Sequence, residues 1–285
     1  MMNKIRISLL LLAFLTVAGF AQDADTAKVK YGWKKEMAAG VNMTQTSFSN
    51  YVQGGENTLA WQFNFNFKFE DDQEKSNWSN SGRLNYGMTK VGDDASQKSI
   101  DEVMVETVYK QKLGIIVDPF AAATAQTQLG PGYNYGTDPR TQISDIIDPL
   151  YFRESVGVGY KPRPEIATRL GASMKQTLTH DYPAPYADDP KTTKIEKTRY
   201  EYGMESVTDL DLKLSSTSKI TSKLQLFSNL EAFDEIDVNW DTLLSSKISK
   251  YLSMNFNVKV IYDKDISKKR QLMQALALGV SYNFY

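Results

Sequence analysis

The chain has a single histidine and no cysteine. His180 is followed by Asp181, and an imidazole beside a carboxylate is the minimum for general-base chemistry. An acyl hydrolase also needs a serine held close to the imidazole, and the residue after this pair is Tyr182. Pro183, Pro185 and Pro190 follow, so His180 is expected to be an exposed loop histidine. One histidine without thiols makes no zinc site of ordinary type. Asp181, Asp188 and Asp189 carry enough charge for Ca²⁺ but no fixed ligand spacing, so a solvated acidic loop is expected. No catalytic, cofactor-binding or metal-binding residue is assigned. Neither a cofactor nor an enzymatic activity is expected.

A larger set of ionisable residues is spaced by twos between apolar neighbours. The bases are Lys68, Arg83, Arg153, Arg169, Lys175, Lys213, Lys247 and Lys259. The acids are Glu102, Glu106, Glu201, Glu205, Asp209, Asp211, Glu231 and Asp241. Gathered around one lumen, they would tune the passage of solutes. They would equally serve as a cross-strand charge network that braces the wall. The mixed signs favour bracing for most of them. The loop aromatics Phe48, Tyr51, Tyr133, Tyr135, Tyr182 and Tyr186 could stack on sugars or peptides, but loop packing is the commoner use of such residues.

Spacing by twos requires strands, whose successive side chains point to opposite faces. Residues 59–69, LAWQFNFNFKF, show it most plainly. Leu59, Trp61, Phe63, Phe65, Phe67 and Phe69 take one face, and Ala60, Gln62, Asn64, Asn66 and Lys68 the other. A helix would scatter both sets. The length suits a tilted transmembrane strand, although a soluble sandwich strand could read the same. Twelve such strands can be marked, beginning at about 37–44 and ending at 275–284. The fifth, 115–126, has an Ala-rich middle that fits either face, and 161–164, with two prolines, is expected as a turn. Connections after even-numbered strands are short. Those after odd-numbered strands are mostly longer, with 128–149 and 180–197 long enough to fold over a mouth. An even strand count with alternating loop lengths predicts an all-β fold: a closed antiparallel transmembrane β-barrel of about 12 strands, both termini periplasmic. Trp78, Tyr109, Tyr160, Trp240, Tyr262 and Tyr282 near strand ends fit interfacial girdles.

The first residues read as an export signal. Lys4 and Arg6 precede an apolar run, and Gly19-Phe20-Ala21 offers a small-x-small cleavage site. The expected organisation is a signal peptide at 1–21, a periplasmic linker at 22–34 and an outer-membrane barrel at 35–285. Without cysteine there is no disulfide framework and no N-terminal lipid anchor. The formal net charge is −1, which gives no case for binding nucleic acid. Mean hydropathy is −0.42 although 12% of residues are aromatic, as strands with one polar face would give.

Several segments also resemble a known family. VQGGENTL at 52–59, LGPGYNY at 129–135, DVNW at 237–240, ISKYLSMNFNVKVIYDKD at 248–265 and GVSYNF at 279–284 are similar to an uncharacterised, Bacteroidetes-type family of outer-membrane β-barrels, a domain of unknown function. The resemblance runs along essentially the whole chain after the signal. It implies a porin-like barrel in a Gram-negative outer membrane and carries over no site residue. Phe284 fits the register of a barrel C-terminal strand, with Tyr285 one residue beyond it.

The expected function is a narrow passive channel for small solutes or ions. The alternative is a structural or interaction barrel with a sealed lumen that binds a partner through its loops. An outer-membrane enzyme comes third. Expected partners are outer-membrane lipid and, through the C-terminal strand, the barrel-assembly machinery. The sequence names no solute or protein partner.

Overall fold

A computed structural model describes residues 31–48, 55–184, 186–189, 192–231, 235–264 and 269–283. The proposed signal at 1–21 lies outside the described residues, as do most of the linker and the Phe284–Tyr285 end.

The strands are β1 (Gly32–Thr46), β2 (Thr58–Asp72), β3 (Ser76–Val91), β4 (Gln97–Gln111), β5 (Val117–Thr127), β6 (Gly132–Asn134), β7 (Thr141–Ser144), β8 (Leu150–Arg163), β9 (Ile166–Leu178), β10 (Thr198–Lys213), β11 (Ser218–Asn229), β12 (Ile236–Lys247), β13 (Leu252–Tyr262) and β14 (Gln271–Asn283). Twelve of them close into one antiparallel barrel in the order β1-β14-β13-β12-β11-β10-β9-β8-β5-β4-β3-β2. Strands β6 and β7 form a separate hairpin inside the connection 128–149. The seam pairs β1 with β14 from Ala38↔Asn283 to Asn42↔Gly279. These five pairs join the two strands that would otherwise be the edges of the sheet.

Alternation decides which side chains go inside. On β14, Leu276, Leu278 and Val280 point outward and are 67%, 56% and 60% exposed, while Ala275, Ala277 and Gly279 point inward. The apolar faces therefore cover the outside of the wall, which removes the sandwich-core alternative for 59–69. The inside has only small apolar patches. Val108, Phe120 and Ala122 form one, and Val207 and Phe227 are also buried. The Phe227 ring lies where a Cβ on Gly203 would sit, so that inward position on the neighbouring strand must be glycine.

Four local expectations are corrected. Strand β1 begins at Gly32, within the stretch expected as linker, because its ladder with β2 runs on to Gly32↔Asp72. Strand β5 begins at Val117, since the turn before it is closed by the Asp118 carboxylate accepting the Leu113 N–H at 3.0 Å. Its ambiguity resolves with Phe120 and Ala122 buried inside. Strand β8 continues through Pro162 to Arg163, because the ladder is interrupted between Tyr160↔Thr168 and Arg163↔Ile166. A proline without an N–H costs nothing where no partner awaits it. Glu231 lies beyond the end of β11 and is exposed, so it is not an inward strand residue.

Connections 73–75, 112–116, 164–165, 214–217 and 248–251 gather at one end, together with Gly32 and Asn283. Connections 47–57, 92–96, 128–149, 179–197, 230–235 and 263–270 gather at the other.

Candidate functional site

The inward faces of opposite walls meet through charge. Arg83 on β3 reaches Asp241 on β12 at 2.6 Å and Glu102 on β4 at 3.1 Å. Lys259 on β13 reaches the same Glu102 at 2.7 Å. In the closed strand order β4 and β13 are far apart, so this pair spans the lumen. Gln126 adds a donor to Glu102 at 3.1 Å, and Asn257 donates to Asp241 at 2.7 Å. One strand turn nearer the short connections, Glu106 is held by Arg169 from β9 and by Lys223 from β11. Lys223 also lies 3.7 Å from Asp209. Buried ions persist only when partners replace their lost hydration, and Glu102 and Glu106 take two cations each.

A second network fills the side formed by β8 to β12. Lys175 is surrounded by Glu201 at 3.2 Å, Asp237 at 2.9 Å and Asp263 at 2.9 Å. Arg153 pairs with Glu205 at 3.0 Å. The charged ends of Arg153 and Lys175 lie 5.6 Å from the centre of the Phe227 ring, within cation–π range. Lys219 pairs with Asp211 at the mouth with the short connections, and Lys68 lies 3.5 Å from Glu70.

Two cavities border these pairings. The larger cavity, about 930 Å³, opens toward the short connections. Lys68, Arg83, Glu102, Glu106, Arg169, Asp209, Asp211, Asp241 and Lys259 all face it. The smaller, about 350 Å³, lies toward the long connections, between Ser99, Gln126, Ile261 and Gln271. Ile100, Glu102, Lys259 and Met273 belong to both walls. The Glu102–Lys259 pair is thus a bar between them. Arg153, Lys175, Glu201 and Glu205 face neither cavity and sit inside the filled side. Period-2 reading overlooked Lys223, although its alternation with Leu224 and Leu226 marks it as inward. Asp263 lies past the end of β13, where no periodicity could have pointed to it.

The long connections are fastened to the rim. Asp101 accepts from the N–H groups of Leu129 and Gly130 at 2.8 and 3.0 Å, and Lys98 holds the Gly130 carbonyl at 2.9 Å. Asp148, buried, accepts from the N–H groups of His180, Asp181 and Tyr182 at 3.1, 2.7 and 3.2 Å. One carboxylate thereby ties the two longest connections together. Burial there pushes the Tyr186 phenol above its ordinary value. His180 and Asp181 form a pair at 2.8 Å, and both are exposed. Asp188 accepts the Glu196 N–H at 3.0 Å. Among the described residues, no group of three His, Cys, Asp or Glu is placed to hold a metal ion.

Residues 43–133 match the family model described as a protein of unknown function (DUF3078). That span contains VQGGENTL and part of LGPGYNY; the segments at 237–265 and 279–284 lie outside it. No curated protein matches the chain. Among solved structures, an outer membrane channel from Pseudomonas putida F1 is 9% identical, with 93% of this chain and 99% of that one covered and a TM-score of 0.41. The translocator domain of the autotransporter NalP from Neisseria meningitidis is 9% identical over 90% of each chain, with a TM-score of 0.40. The NanC porin is 7% identical, covering 86% of this chain and 97% of its own, with a TM-score of 0.38.

Proposed function

We propose that this protein is an outer-membrane barrel forming a narrow passive channel for small solutes or ions, its termini in the periplasm. Export with removal of 1–21 is part of the reading. The outer surface supports the membrane location. Trp33, Trp78 and Tyr109 lie on one row across β1, β3 and β4 near the short connections, in register through Asp71. Trp61 sits beside Met43 and Met88 near the long ones. The strand from Trp33 to Met43 covers about 33 Å at roughly 3.3 Å per residue. At the tilt usual for such barrels that is about 25 Å along the axis, the height of a bilayer-facing apolar band. In water so large an exposed apolar belt would drive aggregation.

The channel reading is carried by one observation: a cavity lined largely by charged and amide side chains enters from one end and meets the Glu102–Lys259 pair, with a second cavity on its far side. The same bar favours the second reading, a sealed interaction barrel. Conductance decides between them. Purified protein in planar bilayers is expected to pass small currents, and E102Q, which removes the acid from the bar, to raise them several-fold. Silence from both forms, each folded by its heat-modifiable gel shift, would overturn the channel and favour the sealed barrel.

A further inference from the structure

The geometry points to a binding site for small, uncharged polyhydroxylated solutes on the open side of the larger cavity. The relevant wall runs across β13, β14, β1, β2 and β3, which are consecutive neighbours in the barrel. Asn255 and Asn257 face inward from β13. Asn42 and Gln62 stand directly opposite each other on β1 and β2, and Asn64 and Asn85 do so on β2 and β3. Between these amides the inward residues of β1 and β14 are Ala38, Gly40, Ala275 and Ala277, all on the cavity wall. The cross-section is a trough with a floor of small side chains and amides along both sides.

Much of this amide capacity is unspent. Gln62 donates to Asn64 at 2.6 Å, and Asn255 accepts from Ser245 at 2.8 Å. Those bonds leave the Gln62 carbonyl and the amino groups of Asn64 and Asn255. Asn42 and Asn85 make no side-chain hydrogen bond among the described residues. Each amide offers donors and an acceptor whichever way it is turned. Donors and acceptors interleaved at this spacing match vicinal hydroxyls, which also give and take. The cavity volume lies in the range of small-molecule sites.

Charge argues against an ionic ligand. The ions bordering the trough are already matched: Arg83 with Glu102 and Asp241, Lys259 with Glu102, and Lys68 with Glu70. On these strands a charged solute would shed hydration without gaining a counter-charge, further lysines of the same cavity, Lys110, Lys161 and Lys247, standing on β4, β8 and β12. A polyol exchanges water for amide contacts at little cost.

The test uses the full chain in detergent micelles and saturation-transfer NMR with maltose and its acid analogue, maltobionate. Transfer to maltose is expected to exceed transfer to maltobionate several-fold. N64L/N85L should abolish it in a barrel that still shows its heat-modifiable gel shift. N64A/N85A, which adds no bulk, should lose most of it and guards against misfolding of the first variant. Equal transfer to both sugars, preference for the acid, or transfer unchanged in the alanine variant would overturn the site. The measurement needs no flow through the barrel. A silent bilayer recording sinks the channel and leaves this site standing, and absent transfer does the reverse.

Discussion

Single residues here are governed by which way a strand turns them. Phe65 pairs with Ala39 and Leu84 on the outer face, whereas Asn66 pairs with Ala38 and Arg83 on the inner one. A basic residue at the bilayer midplane costs about 2–4 kcal/mol, and an acidic one less. F65D is therefore expected to lower the folded yield sharply, while N66D, placed opposite Arg83, folds as the parent does. Equal yields in refolding assays would reverse the face assignment. Glu102 takes Arg83, Lys259 and Gln126. Breaking a buried pair by removing one partner costs up to about 3–5 kcal/mol. In E102Q, Arg83 keeps Asp241 but Lys259 loses the carboxylate that holds it. The urea midpoint of E102Q should fall, and that of E102Q/K259Q should recover part of the loss. A double variant less stable than E102Q would show that Lys259 is held by something else.

At the scale of elements, the long connections matter through how they are anchored. Among the described residues, neither 128–149 nor 179–197 lines either cavity, whereas Glu102 and Lys259 line both. Deleting 128–140 is expected to leave single-channel current near that of the intact protein; a large rise would move the obstruction to that loop. Connection 179–197 carries its own pH dependence. The Thr192 hydroxyl, which donates to the Glu196 carboxylate at 2.8 Å, holds this acid below its ordinary value of 4.5. A carboxylate with a lowered value stabilises its surroundings above its ordinary value and loses that contribution as pH falls through the lowered one. Pepsin should therefore nick 186–197 faster at pH 2 than at pH 4, relative to a barrel site of equal sequence preference. E196Q should already be susceptible at pH 4. No difference between the two proteins would dismiss the carboxylate.

For the whole molecule, the closed ladder predicts its own signature. Every barrel strand has two partners, and the shortest ladder of the barrel is the five-pair seam between β1 and β14. Unboiled and boiled samples should migrate differently on a detergent gel, with a far-UV spectrum dominated by strand. A single band at the boiled position together with a helical spectrum would end the barrel assignment. The interior divides into two halves. The side from β4 through β12 is filled by ions and by Phe120, Val207 and Phe227, while the side from β13 round to β3 contributes Lys259, Lys68 and Arg83 and is otherwise lined by amides and small residues.

The sequence by itself determined the twelve barrel strands and most of their faces, and missed the short β6–β7 hairpin inside 128–149. Alternation is a local property: Phe65 and Asn66 differ in direction because they are neighbours, whatever lies across the barrel. It determined also that one end has short connections, since loop length is counted along the chain. It stopped at partners. Glu102 and Lys259 are far apart in sequence, and so are Lys175 and Asp263; only closure and tilt bring each pair together. Strand ends escaped for the related reason that a ladder continues while its neighbour continues, which is how Gly32 joins the barrel opposite Asp72 and how β8 runs on through Pro162. Whether mixed charges line a passage or bar it depends on the distance between opposite walls, a quantity that exists only once the twelve strands have closed.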